Sequence, residues 1–205
     1  MRDVLITAGA TRNPIDAMRF ISAHSTGRTG ARLAEALCGE RCVTILGSPE
    51  ALTHSPNMAT CEAFSSTQDL MDKMHAWVAA HPDGLVIHTA AVGDYEVEPV
   101  DGKIASGQES LTLKLRPTPK IVDAIREWSP TAKIISFKAA PPGTTGLNLE
   151  AIAAAQGDRT GSVAVFANVV GQIESDVLIW TREGVQTFDH RAEALEALIA
   201  FARSV

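Results

Sequence analysis

The sequence predicts an α/β protein with a Rossmann-like three-layer fold, a mainly parallel sheet between helices, and a two-stranded arm projecting from it. Three observations lead there. Short Val/Ile-rich runs alternate with stretches of helical period along most of the chain, the mark of βα units feeding a parallel sheet. The first run, Val4-Leu5-Ile6-Thr7, breaks at Ala8-Gly9-Ala10-Thr11-Arg12, and a second small-residue turn, Ser25-Thr26-Gly27-Arg28-Thr29-Gly30, opens a helix. Between about 96 and 119 the alternation fails, and Leu111-Thr112-Leu113-Lys114-Leu115 repeats with period two.

The elements follow in order. Val4–Thr7 is a buried strand and Gly30–Leu37 the body of the first helix. Cys42–Leu46 is a second strand and Cys61–Phe64 a short third. Leu70, Met71, Met74, Trp77 and Val78 share one face of a helix from Thr67, its expected N-cap, to Ala80. Gly84–Thr89 is a strand ending in the turn Ala90-Ala91-Val92-Gly93-Asp94-Tyr95. Ile121, Val122 and Ile125 form one face of a helix over Pro119–Trp128. Lys133–Phe137 and Ser162–Ala167 are strands on either side of a helix at Leu149–Ala155. Leu178–Thr181 and Val185–Phe188 make a hairpin about Arg182-Glu183-Gly184, and Arg191–Arg203 closes the chain as a helix. Pro141 to Gly146 reads as a mobile loop, and the arm as a surface for a second subunit.

With 205 residues the chain reads as one domain, 1–205, large enough to bury a core unaided. A net charge of −6 argues against a broad nucleic-acid interface, which wants a basic face, but not against a single nucleotide. Cys38, Cys42 and Cys61 lack C-x-x-C spacing and are expected as buried thiols in a cytoplasmic protein. No signal peptide or membrane-length apolar run is apparent. The six histidines lack metal-ligand spacing, so no protein metal site is expected.

A strand, a Gly/Ser/Thr-rich loop and a helix start make an anion-binding arrangement, because the first helical N–H groups are free and the dipole favours negative charge. The long insert from Asn13 to Ser22 carries Asp16 and Arg19, with His24 just beyond it. Ligands of doubly wound sheets lie beyond the carboxyl ends of the strands. That rule gathers Gly9–Arg12, Thr89–Asp94, Phe137-Lys138 and Ala167-Asn168 at one edge. Asp94 there serves a ligand or Mg²⁺, or else caps a turn. Lys103 meets a phosphate or is a solvated lysine. Phe137 stacks on a base or packs in the core, and Asn168 reads a base edge or caps a turn.

Several ordered blocks then carry a resemblance. Ile6-Thr7-Ala8-Gly9-Ala10-Thr11-Arg12-Asn13-Pro14-Ile15-Asp16, Arg19-Phe20-Ile21-Ser22, Ser25-Thr26-Gly27-Arg28, Ala90-Ala91-Val92-Gly93-Asp94-Tyr95, Lys103-Ile104, Pro119-Lys120-Ile121-Val122, Ser136-Phe137 and Ala167-Asn168 together resemble phosphopantothenate–cysteine ligases. The resemblance implies CTP-dependent activation of the 4′-phosphopantothenate carboxylate with loss of pyrophosphate, then attack by the cysteine amine on the acyl-cytidylate. It implies CTP and Mg²⁺ as cofactors, a homodimer sharing the arm, and a separate flavin-dependent decarboxylase, since none precedes Met1. It places Arg19, His24 and Lys103 in catalysis. Gly9, Thr11, Ser25, Gly27, Ala90, Ala91, Asp94, Lys103, Pro119, Ile121, Val122, Phe137 and Asn168 would bind the nucleotide.

The chain also departs from the family pattern. Ala23 stands in the Ser-Asn-x-Ser-Ser-Gly loop where the asparagine serves the acyl intermediate. Ala105-Ser106 replaces two lysines, Ala140 replaces a glutamate, and only Arg159 remains near the Ala-Asn strand end where two further lysines are expected. Two other readings therefore stand beside the ligase: a relative acting on another acid–amine pair or only binding a nucleotide, and a short-chain oxidoreductase. The last lacks its G-x-x-x-G-x-G motif, and Tyr95 has no lysine four residues on.

Overall fold

A computed structural model describes residues 2–172 and 174–205. Six strands form a parallel sheet: β1 (Val4–Ala8), β4 (Val43–Gly47), β5 (Thr60–Ala63), β6 (Leu85–His88), β9 (Lys133–Ala140) and β10 (Ala164–Val169). The antiparallel strands β11 (Val177–Thr181) and β12 (Gly184–Phe188) extend it at one edge. The sheet runs β12-β11-β10-β9-β6-β1-β4-β5. Its parallel part has the doubly wound order 3-2-1-4-5-6, whose topological switch point lies between β1 and β6.

Helices cover both faces because the parallel strands are buried on both sides. Val4, Ile6, Ala8, Ile87, Ile135 and Phe166 pack beneath α1 (Arg28–Leu37) and α6 (Arg191–Ser204). On the other face Leu5, Leu46, Val86 and Ile134 meet α3 (Thr67–Ala80) and α4 (Ile121–Trp128). Val165, Ala167 and Leu178 meet α5 (Gly146–Thr160) on that same side. This is the expected α/β three-layer fold.

Several local expectations are corrected. Ser66, not Thr67, caps α3, its side chain accepting the Asp69 N–H, whereas Thr67 lies inside and fully buried. The insert after β1 is a small hairpin, β2 (Arg12–Pro14) with β3 (Phe20–Ser22). A short helix, α2 (Pro49–Leu52), follows β4. The arm is a paired base, β7 (Tyr95–Glu96) with β8 (Arg116–Pro117), and Leu111–Leu115 forms no strand. Among the described residues no strand pairs with the period-two stretch, and the arm's nearer half is instead docked on the hairpin insert: the Val100 N–H donates to Ile15 O at 2.9 Å and the Ala17 N–H to Gly102 O at 2.9 Å. Pro141 to Gly146 contains a turn closed by the Thr144 N–H on Pro141 O, and α5 begins at Gly146. The cysteines are not buried: Cys42 and Cys61 are exposed and Cys38 is half-buried, because Cys61 lies on the edge strand and Cys42 in the turn before β4.

Candidate active site

At the switch point the β1 and β6 ladder continues for one more step before the chains part. The Ala91 N–H donates to Gly9 O at 2.8 Å and the Thr11 N–H to Ala91 O at 3.2 Å, with Ala10 and Ala91 bridged in parallel. From there the chain after β1 leads to α1 on one face and the chain after β6 to α4 on the other. The crevice between them is where a doubly wound sheet binds its ligand.

Two glycines build the α1 side. Gly9 has φ +88°, and a Cβ there would lie 2.2 Å from Ser48 Oγ. Gly27, the N-cap of α1, has φ +76°, and its Cβ would lie 2.2 Å from the Ala51 Cβ. Left-handed backbone and close approach together require glycine at both. Gly27 offers no capping side chain and the first turn of α1 has no acidic residue, so this helix start suits an anion. The Gly27 N–H reaches Ser25 Oγ only at 3.4 Å. Arg191, at the start of α6, donates to Thr29 Oγ1 at 3.2 Å and to Asn168 Oδ1 at 3.4 Å. Its guanidinium also lies over the Phe166 ring, on which Phe137 stacks at 4.8 Å between centroids.

The β6 side is held by a polar network. Thr11 Oγ1 accepts the Gly93 N–H at 2.9 Å and the Thr67 hydroxyl at 3.2 Å. Asn13 accepts the Thr67 N–H at 2.9 Å and donates to Tyr95 O at 3.2 Å. The Thr118 hydroxyl donates to Gly93 O. Asp94 is exposed and paired with Lys120 at the N-cap of α4.

The hairpin insert anchors the arm. Asp16, whose side chain is wholly enclosed, accepts the N–H groups of Met18, Arg19 and Ile104 at 2.8–3.0 Å as well as the Arg19 guanidinium. Arg19 also donates to Ile104 O at 2.8 Å. The guanidinium, with these N–H donors, holds the Asp16 carboxyl far below the usual range. Lys103, one residue from this clamp, is exposed.

At the C-terminal edge of the sheet Gly9 meets Gly27 and Ala91, and the Thr118 N–H, beside Pro119, donates to Asp94 O, while Arg191 links Thr29 to Asn168 and covers the Phe166–Phe137 stack. Thr11 and Ile121 are buried. Val122 is half-buried and packs beside the α4 core. Arg19 is committed to positioning the arm. His24 is exposed, and among the described residues no hydrogen bond or ion pair ties it or Lys103 to the crevice. Asn13, Thr67, Thr118 and Arg191 escaped the sequence reading. Arg191 left a signal: a cation opening a helix opposes the dipole, so it must have a partner elsewhere. Among the described residues no three or more acidic, His or Cys groups form a metal cage. Among the described residues no helix is long and apolar enough to cross a membrane.

Residues 1–195 match the family described as the DNA/pantothenate metabolism flavoprotein C-terminal domain. The chain is 33% identical over 189 residues to the coenzyme A biosynthesis bifunctional protein CoaBC of Thermococcus kodakarensis, covering 88% of this chain and 45% of that protein. It thus spans less than half the length of that relative. The crystal structure of the DNA/pantothenate metabolism flavoprotein from Streptococcus pneumoniae superposes with TM-score 0.87 at 26% identity, covering 100% of this chain and 99% of that one. A Cab2 mutant in complex with phosphopantothenate-cysteine shares the fold with TM-score 0.78 at 20% identity, covering 99% and 88%.

Proposed function

Because the chain belongs to the family of the DNA/pantothenate metabolism flavoprotein C-terminal domain, a ligase domain of coenzyme A biosynthesis, we propose that it joins 4′-phosphopantothenate to cysteine at the expense of CTP. The observation that carries this reading is the switch-point crevice itself, with the αL glycines Gly9 and Gly27 and the uncapped α1 on one side and the Ala90–Asp94 loop on the other. In the first half-reaction a carboxylate oxygen of the acid attacks the α-phosphorus of CTP and pyrophosphate leaves. In the second the cysteine amine attacks the acyl carbon, the amide forms and CMP departs with the bonding pair. Charge builds on phosphate oxygens first and on the acyl oxygen next, so preorganised N–H donors and cations accelerate both steps.

The α1 N–H groups and Arg191 supply that field, and the Asp16–Arg19 clamp presents Lys103 from the arm. Mg²⁺ fits as a companion of the triphosphate, since among the described residues no cluster of three acidic, His or Cys groups would hold it and Asp94 is paired with Lys120. His24 is the side-chain donor next to Ala23, whose methyl cannot donate. The exposed apolar Met18, Phe20, Tyr95, Leu111 and Leu115 on the hairpin and arm support a homodimer, with a separate flavin-dependent decarboxylase supplying the neighbouring step in a cytoplasmic pathway.

One observation favours a second reading, a relative that acts on another acid–amine pair or only binds a nucleotide. Ala140, at the position of the family's glutamate, is fully buried among Leu149, Val169 and Leu178. No charge could enter there without repacking. Thermal shifts at matched concentrations separate the classes. At a hundred times its Kd a ligand adds about 2.7 kcal/mol, and CTP with Mg²⁺ is expected to stabilise the protein more than NADPH or FAD. A shift with NADPH alone would instead assign an oxidoreductase.

A further inference from the structure

His88 ends β6 at the switch point. By the alternation of the strand it shares the α3/α4 side of the sheet with Val86, as its neighbour Thr7 does with Leu5. The residue is only 8% exposed. Its Nδ1 lies 2.8 Å from Thr7 Oγ1, and that oxygen already accepts the Ala90 N–H at 3.1 Å. Thr7 is fully buried, and among the described residues the acceptor in reach of its hydroxyl proton is His88 Nδ1. A buried donor does not go unpaired, so the hydroxyl donates to Nδ1 and the ring carries its own proton on Nε2.

Nε2 has no partner among the described residues. Ser136, level with His88 on β9, is engaged with Gln156 and Ser162. Yet the only enclosed side-chain atom left unsatisfied among the described residues is Ser55 Oγ. Nε2 therefore keeps some contact with solvent at the C-terminal end of β6. Burial pushes the ring's pKa down to about 4, so the donor stays neutral at physiological pH.

We propose that His88 is a specificity residue of the nucleotide site, its Nε2–H donating to an acceptor atom on the edge of the bound base. The inference rests on the nucleotide-binding reading above. A base is favoured over a phosphate on two grounds. The phosphate donors of α1 lie across the sheet, where Gly30 packs on Ala8 and Ile6, and a desolvated neutral donor matches a neutral acceptor better than an anion, which would draw a second proton onto the ring.

Long-range ¹H–¹⁵N spectra of the histidines test this on the wild-type protein, with CTP·Mg²⁺ and inorganic tripolyphosphate as probes. The free protein is expected to show His88 as the Nε2–H tautomer, with its Nε2 resonance moved by CTP and not by tripolyphosphate. His88→Phe is expected to weaken CTP about tenfold, the worth of one good hydrogen bond, and to leave tripolyphosphate affinity unchanged. If that variant does not fold, the wild-type spectra decide alone. An Nδ1–H tautomer overturns the proposal, as does CTP binding that moves the Gly27 and Ala90 amides but not His88. If neither probe moves any amide, the nucleotide reading falls and this inference with it.

Discussion

Asp16 and His88 are two titratable side chains perturbed by the fold, and they act in different pH windows. The folded Asp16 carboxyl titrates far below the unfolded value of about 3.9, so its contribution is complete above that value and fades as the pH falls toward the folded one. His88 is held neutral down to about 4 while the unfolded imidazole gains a proton near 6.5. The unfolded state then binds more protons, and stability drops by up to about 3 kcal/mol between pH 6.5 and 4. Denaturant melts across pH are expected to show both losses, with Asp16→Asn removing the lower and His88→Phe the upper. At Gly27 a methyl meets the Ala51 Cβ at 2.2 Å with φ +76°, so Gly27→Ala is expected to cost about 2–4 kcal/mol from left-handed strain and overpacking, read from the same melts at pH 7. On the proposed ligase chemistry, Ala23→Asn is expected to supply a donor for the acyl carbon and to raise amide formation, by as much as about 10²-fold. An unchanged Ala23→Asn together with a damaged His24→Ala would assign that donor to His24.

Most of the parallel strands were legible because they are short, buried apolar runs, the edge strand β5 being exposed along its length, and α1, α3 and α6 because their apolar positions recur at helical spacing. What the pattern missed lacked burial or length. The hairpin strands β2 and β3 are largely exposed apart from Asn13, and α2 spans a single turn. Leu111–Leu115 has strand-like alternation without a strand, since alternation reports a half-buried face and this segment has no neighbour to bury it. Of the site, the glycine turns and the Ala90–Asp94 loop were readable from their place after buried strands. Thr67 on Asn13, Arg191 on Thr29 and Thr7 on His88 were not, because their partners lie 54, 162 and 81 residues away. The arm's unpaired leucines carry a prediction of their own. Light scattering is expected to show a dimer that dissociates when 105–115 are deleted, and a monomer for both proteins would contradict the shared arm.

For the whole molecule, the doubly wound order places the topological switch point between β1 and β6, where helix α1 starts without a capping side chain and the hairpin insert pins the arm. The chain belongs to the family of the DNA/pantothenate metabolism flavoprotein C-terminal domain and spans under half of a bifunctional relative, so its own chemistry is the decisive quantity. Pyrophosphate release from CTP and Mg²⁺ with 4′-phosphopantothenate, with and without cysteine and alongside direct detection of the amide, measures both half-reactions at once. Pyrophosphate is expected to appear with the acid alone, and the cysteine amide to form more slowly than pyrophosphate is released because Ala23 cannot donate. No pyrophosphate with this acid under any nucleotide would contradict the ligase.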